Sequence, residues 1–185
     1  MESENQTLND LLAGIAATGT GSAGGTAIAV VGAVAASLCE MACRHTEPPA
    51  PPEDSPTTRL ATQRMRLLAL ADADAAVVDA LFGTDAEDNE RTRRRAVGIP
   101  LAVGESCVTI VETGKGIVAT RDGPAIDDAV TGVLLAEGAG RAATHTVRTN
   151  LDMLSDPTFA ARVEARVTDI EAVVGDGRGA WTSEE

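Results

Sequence analysis

The chain contains few aromatic residues and almost no lysine. Among its 185 residues there is no tyrosine, one tryptophan and two phenylalanines, so aromatic residues make up 2% of the composition. A hydrophobic core must therefore be packed mainly from alanine, valine and leucine. Lys115 is the only lysine, and arginine supplies nearly all of the positive charge.

An excess of positive charge is also missing. The formal net charge is -13 and the isoelectric point is near 4.5. Nucleic acids and anionic membranes attract basic surfaces, so we expect neither as a partner. Such an acidic composition is typical of a cytoplasmic protein from a salt-loving organism, in which salt screens the self-repulsion. We therefore expect the stability to depend on salt.

The three cysteines do not suggest a disulfide framework or a metal site. Their number is odd and the acidic N-terminus does not resemble a signal peptide, which indicates a reducing compartment. Cys39 and Cys43 are one helical turn apart, with His45 just beyond. A structural zinc takes four ligands, and Cys107 and His145 would have to converge on it from distant segments. The sequence predicts no metal, and thiols that fill the core.

The most distinctive stretch is residues 18–45, in which a glycine-bearing turn opens into a long run of small apolar residues. Small residues recur every four positions, at Gly25, Ala29, Ala33 and Ser37. This spacing places them on one helix face, where another backbone can approach closely. The uncharged run is long enough to cross a bilayer, but alanine and glycine contribute little transfer energy. We predict a buried central helix whose first-turn amides can accept an anion.

Hydrophobic periodicity elsewhere predicts more helices and no strand. A first helix, capped by Thr7 and Asp10, is expected to end near the first glycines and to dock on the rest. The others are predicted from Thr57 or Thr58 to Phe82, from Ala96 to Thr120 with a bend at Pro100, from Asp127 or Asp128 as cap to Leu151, and from Asp156-Pro157 to near Gly175. The expected architecture is an all-α, single-domain bundle of long helices around the Ala/Gly-rich helix, over residues 1–175, followed by a flexible acidic tail at 176–185.

Two groups of charged residues are candidates for chemistry. Asp72 and Asp74 interrupt an apolar stretch, and two residues on a helix point about 200° apart, so at most one of them faces the interior. A partly buried carboxylate has a raised pKa suited to proton transfer, whereas two solvated surface acids have no such role. Arg94 and Arg95 could bind carboxylates, or could simply balance nearby acids.

Several segments, taken in order, resemble the cyclodeaminase/cyclohydrolase family. The family's glycine-rich turn and Ala-rich helix are matched by Ser22-Ala23-Gly24-Gly25-Thr26, and its D-x-D-A pattern by residues 72–75. Its R-R-A-x-x-x-P-L segment is matched by residues 94–101, its S-D pair by Asp127-Asp128, and its N-V-x-x-N-L segment by residues 146–151. The resemblance covers nearly the whole chain.

The resemblance implies a homodimer that binds a reduced folate in a groove beside the glycine turn. The reaction would either close N5-formimino-tetrahydrofolate to the 5,10-methenyl form with loss of ammonia, or open the methenyl form with water to N10-formyl-tetrahydrofolate. The lack of a fused transferase segment favours a stand-alone methenyltetrahydrofolate cyclohydrolase. The alternative is a non-catalytic helical module that keeps the fold and has lost the site.

The resemblance also implies roles for individual residues. A carboxylate at Asp72 or Asp74, with Asp72 slightly preferred, would move a proton, and no metal or redox cofactor is implied. The expected substrate contacts are Gly24, Gly25, Thr26, Asp128 and Asn150, with Arg94 or Arg95 holding the glutamate tail of the folate.

Overall fold

The structure is a computed structural model that describes residues 7–17, 24–45, 52–82 and 89–175. Within these ranges the chain forms six α-helices and no strand, which confirms the all-α prediction. The helices are α1 (Leu8–Ala16), α2 (Gly24–Arg44), α3 (Pro56–Phe82), α4 (Glu90–Thr120), α5 (Ile126–Leu151) and α6 (Pro157–Val174).

The Ala/Gly-rich helix α2 lies at the centre of the bundle, as predicted. It packs along α3 and α5 and also contacts α4, while α6 covers α4 and α5. The long helices α4 and α5 run antiparallel, since Gly114 lies against Val133 and Gly104 against Ala143. This arrangement gathers the N-termini of α2, α4 and α6 and the C-termini of α3 and α5 at one end of the bundle.

The core is packed from small aliphatic side chains, as the shortage of aromatic residues requires. Alanine, valine, leucine, isoleucine and cysteine make up the main buried cluster, and Phe159 packs against its edge. Cys39, Cys43 and Cys107 are all buried, which confirms that the thiols fill the core. Burial raises the pKa of the Cys39 and Cys107 thiols to about 12, because a thiolate would lose its hydration.

Small residues allow α2 and α5 to pack with their backbones in close approach. A Cβ atom on Gly132 of α5 would lie 2.8 Å from the Ala35 carbonyl oxygen and 2.7 Å from Cys39 Sγ. Both distances are too short for real contacts, so any side chain at Gly132 would force the two helices apart.

Two of the predicted helix caps are confirmed and one is wrong. Thr7 and Asp10 form a reciprocal capping box on α1, and Asp156 accepts hydrogen bonds from the Thr158 and Phe159 amides at the start of α6. In contrast, neither Asp127 nor Asp128 caps α5, because its N-cap is Ala125 and both aspartates lie in the first helical turn. There their charge still complements the helix dipole.

The start of α4 also differs from the prediction. The helix begins at Glu90, where Asn89 Oδ1 accepts a hydrogen bond of 3.0 Å from the Thr92 amide. Arg94 and Arg95 therefore lie on the helix and not in a polar segment before it. The helix continues through Pro100 without interruption, because the surrounding bundle packing offsets the one missing backbone bond.

One further prediction changes in detail. Helix α3 starts at Pro56, one or two residues early, because the Ser55 hydroxyl accepts a hydrogen bond from the Thr58 amide. The expected docking of α1 stays a prediction, since none of its residues is buried and only Leu11, Gly14 and Ile15 are half-buried. The turn residues Ser22 and Ala23 and the tail 176–185 lie outside the described residues, so the predictions made for them stay predictions.

Two described helices, α2 and α4, are long and apolar enough to cross a membrane by length and composition alone. Of their most apolar windows, 56% and 67% of the residues are buried inside the bundle. Core helices of globular proteins share these properties, so the feature is weak support for a membrane span.

Candidate functional site

The first turn of α2 holds a buried carboxylate that belongs to α3. Asp74 is only 9% exposed, and its Oδ2 accepts a hydrogen bond of 3.0 Å from the Thr26 hydroxyl. The same hydroxyl lies 3.4 Å from the Ala71 carbonyl oxygen, one turn earlier on α3. Thr26 therefore fixes the carboxylate of Asp74 against the N-terminal end of α2.

Gly25 is the residue that lets the carboxylate lie so close to the helix. A Cβ atom at this position would lie 2.6 Å from Asp74 Cγ, well inside van der Waals contact. Any other residue would push the carboxylate away from the first turn of α2. The small-residue face predicted from the sequence thus begins at the point where the acid of α3 lies.

Burial raises the pKa of Asp74, since the carboxylate form loses hydration in the helix interface. Hydrogen bonds from the side chain and backbone of Thr26 oppose this shift because they stabilise the charged form. Desolvation is the largest of these effects, and the pKa remains above its usual value. A carboxyl group with a raised pKa is better suited to give and take a proton than an ordinary surface aspartate.

The second aspartate of the pair has a different environment. Asp72 is exposed on α3 while Asp74 is buried, which confirms that at most one of the two faces the interior. Gly24 is also exposed, and a Cβ atom there would meet open space. Of the residues expected near the glycine turn, the structure therefore brings together Gly25, Thr26 and Asp74.

The predicted arginines line an open cavity of about 540 Å³ on the N-terminal turns of α4. Its lining residues are Glu90, Arg91, Arg94, Arg95, Gly98 and Ile99. Arg94 is already engaged, with bonds to Glu90 and to Asp156, and its guanidinium lies 4.8 Å from the Phe159 ring centroid. Within the described ranges, no carboxylate pairs with Arg95.

Sequence reasoning did not identify Arg91 as part of this cavity. Its position relative to Arg95 and Gly98 gives the spacing i, i+4, i+7, which places the three on one helix face once α4 is known to start at Glu90. The segment around Arg91 is so polar that hydrophobic periodicity did not place it in a helix, and the spacing could not be recognised.

Asn150 lies at the same end of the bundle, but its side chain contacts a helix backbone. Its Nδ2 donates a hydrogen bond of 2.8 Å to the carbonyl oxygen of Ala96 on α4. Asp128 lies near the other end of α5, about 33 Å away along the helix axis. One chain therefore cannot bring Asp128 and Asn150 to the same small molecule.

Among the side chains that the structure describes, no three of histidine, cysteine, aspartate and glutamate are grouped so as to hold a metal ion. The chemistry available at this end of the bundle is thus proton transfer by a buried carboxyl group and anion binding by arginine.

A protein-family model for formiminotransferase-cyclodeaminase matches residues 7–169 of the chain. The chain belongs to the formiminotransferase-cyclodeaminase family. This confirms the resemblance found in the sequence motifs, and membership indicates a folate cyclodeaminase-type function.

Comparison of structures confirms the fold of this formiminotransferase-cyclodeaminase family member. A crystal structure of formiminotetrahydrofolate cyclodeaminase from Thermotoga maritima superposes with a TM-score of 0.83, over 97% of this chain and 95% of the other. The two sequences are 19% identical, so the match shows a shared fold. None of the curated proteins matches the chain in sequence.

Proposed function

We propose that the protein acts on the one-carbon unit of a reduced folate, with Asp74 as the group that transfers the proton. The observation that supports this most directly is the buried Asp74 carboxyl, bonded to Thr26 and seated on Gly25. A structural acid would gain nothing from desolvation at this position, whereas a proton-transfer group needs a raised pKa.

In the cyclodeaminase direction, the formimino group of N5-formimino-tetrahydrofolate enters in its protonated form. N10 attacks the formimino carbon, a new N10–C bond forms, and the C=N double bond opens to leave an amino group on that carbon. Asp74 as carboxylate takes the proton from N10 and then gives it to the amino group on the resulting tetrahedral carbon. The C–N bond to that group breaks, ammonia leaves, and the 5,10-methenyl bridge remains. A negative charge nearby also stabilises this cationic product.

The same group would serve the cyclohydrolase direction. There Asp74 takes a proton from the water that attacks the methenyl carbon and returns it to N5 as the C–N5 bond breaks. The hydroxyl proton of the tetrahedral carbon leaves to solvent as the carbonyl of the N10-formyl form is made. Both reactions pass through a tetrahedral carbon and use one acid–base group. We place the cyclodeaminase reaction first because it is the activity that the family name describes.

We assign binding of the folate's glutamate tail to Arg95 and Arg91. Arg94 already bonds to Glu90 and Asp156, which leaves its neighbours to take a new carboxylate. Guanidinium groups bind carboxylates through paired hydrogen bonds, and the open cavity has room for an extended chain. This assignment requires no metal and no cofactor beyond the folate substrate itself.

The test compares Asp74→Asn with Asp72→Asn in two assays, ammonia release from formimino-tetrahydrofolate and loss of methenyltetrahydrofolate absorbance, both at high potassium chloride. We expect Asp74→Asn to lower kcat/KM by about 100-fold or more, since general acid–base catalysis contributes factors of that size. The assay that responds identifies the direction of the reaction.

Asp79→Asn is the matched control, because Asp79 is an exposed acid on the same helix. Loss of activity in Asp72→Asn with full activity in Asp74→Asn would contradict the assignment. A folded wild-type protein without either activity would favour the non-catalytic module.

We also propose that the protein is a homodimer that pairs through the outer face of α2. This face carries exposed apolar side chains, namely Val31, Val34 and Met41, and Leu134 of α5 is exposed as well. No charged residue occurs in α2 before Glu40. An exposed apolar face is unusual on the surface of a chain with a net charge of -13. Such faces are typical of protein–protein interfaces.

Val34 lies at the midpoint of α2, and this affects the site in the proposed dimer. A two-fold axis through Val34, perpendicular to the helix, would place the first turn of each α2 beside the C-terminal end of α2 in the other subunit. Asp128 lies at that opposite end, since the neighbouring Ala129 carbonyl is 3.6 Å from Cys39 Sγ. The partner's Asp128 would thus complete the site that contains Asp74.

A further inference from the structure

Pro100 leaves one backbone acceptor of α4 without its helical partner. In an α-helix the carbonyl of residue 96 accepts a hydrogen bond from the amide of residue 100, and proline has no amide hydrogen. Ala96 is itself buried, so its carbonyl has little access to water. An unsatisfied acceptor in such a place costs more than an ordinary hydrogen bond returns.

The side chain of Asn150 supplies the missing donor. Its Nδ2 lies 2.8 Å from the Ala96 carbonyl oxygen, across the α4–α5 interface. Since α4 and α5 run antiparallel, this bond joins the C-terminal turn of α5 to the N-terminal turns of α4.

We infer that Asn150 is a positioning residue: its amide replaces the backbone donor that Pro100 lacks and thereby holds the arginine-bearing turns of α4 in place. Arg94 and Arg95 directly precede the bonded carbonyl, and Arg94 is also tied to α6 through Asp156. The expected effect of Asn150 on substrate binding rests on the proposed role of Arg95. Its expected effect on stability does not, because the bond to the Ala96 carbonyl forms without any substrate.

The first test is a double-mutant cycle in urea unfolding with Asn150→Ala, Pro100→Ala and the double variant. Asn150→Ala is expected to lower the folding equilibrium constant about tenfold or more in the Pro100 background. In the Pro100→Ala background the new amide takes over the Ala96 carbonyl, and the loss should fall below about threefold. Equal losses in both backgrounds would overturn the inference.

This cycle needs no activity, so its outcome is independent of the proposed function. If Asn150→Ala does not fold, folding of the double variant is the expected rescue. If Pro100→Ala folds but the double variant does not, the Asn150 amide does not replace the missing backbone donor. Thr149→Ala is the matched control, since its hydroxyl donates a hydrogen bond within α5, to the His145 carbonyl.

The second test is steady-state kinetics of the full chain with a polyglutamyl reduced folate. Asn150→Ala should raise KM by about fivefold or more and change kcat less than twofold. A variant that weakens substrate binding equally in the ground state and the transition state raises KM and leaves kcat unchanged. Adding Pro100→Ala should restore KM. A fall in kcat with unchanged stability and KM would overturn the positioning role and make Asn150 a contact of the reacting atoms.

Discussion

At the scale of single residues, the two aspartates of α3 show what the sequence can and cannot predict about burial. Helical spacing alone predicts that at most one of Asp72 and Asp74 faces inward, and the structure shows that Asp74 does. Periodicity could not decide, because the phase of α3 depends on which neighbours it packs against. The partner Thr26 lies 48 residues earlier and is brought to Asp74 by the antiparallel packing of α2 and α3.

The raised pKa of Asp74 leads to a prediction about stability and pH. Because the pKa of Asp74 in the folded protein lies above its usual value, the protonated acid stabilises the fold at low pH, and this contribution is lost as pH rises through the raised pKa. Asp74→Asn removes this dependence. We expect the variant to gain stability relative to the wild type as pH rises through that window.

The measurement is urea unfolding of both proteins at a series of pH values in constant salt. Asp79→Asn, on the exposed side of α3, controls for the loss of one negative charge. A stability difference that stays flat, or that reverses with rising pH, would show that desolvation does not dominate at Asp74.

At the scale of helices, a buried ion pair between α4 and α5 uses the only lysine of the chain. Glu137 is 1% exposed, and Lys115 Nζ lies 3.0 Å from its Oε1, close enough for an ion pair but not aligned as a hydrogen bond. The Lys115 side chain is 33% exposed. Its amine can therefore reach water, while the carboxylate of Glu137 cannot.

This asymmetry predicts which partner is more costly to remove. Lys115→Met leaves a charge buried without a partner and should lower the unfolding free energy by about 3 kcal/mol. Glu137→Gln should cost less, because the remaining amine stays partly hydrated. Urea unfolding at neutral pH measures both, and a larger loss in Glu137→Gln would contradict this account.

The double variant Lys115→Met/Glu137→Leu serves as the control for packing. It removes both charges and should recover most of the stability lost in Lys115→Met, since well-packed apolar residues often replace a buried ion pair without loss. An undiminished loss in the double variant would mean that the methylene groups of Lys115, and not its charge, stabilise the interface.

At the scale of the whole molecule, the proposed dimer predicts subunit complementation. Asp74→Asn and Asp128→Asn should each be nearly inactive as pure proteins. Unfolded together and refolded as a mixture, they should regain about a quarter of the wild-type activity, because half of the dimers are mixed and each mixed dimer has one intact site. Light scattering gives the oligomeric state.

Val34→Glu tests the interface itself, since it introduces a charge at the middle of the exposed face of α2. We expect it to produce monomers and to abolish complementation. Complementation absent in a mixture that is dimeric by light scattering would show that Asp128 does not contribute across the interface.

The expected dependence of stability on salt, which follows from the net charge of -13, stays a prediction.

The sequence by itself determined the helical class, the central Ala/Gly-rich helix, the caps at Thr7 and Asp156 and the family, because these depend on local periodicity, local hydrogen bonds and short motifs. The tertiary structure decided the rest. The inward phase of Asp74 and the bond from Asn150 to Ala96 both depend on how distant segments pack. Such contacts join residues tens of positions apart, and no local pattern encodes the register between two helices.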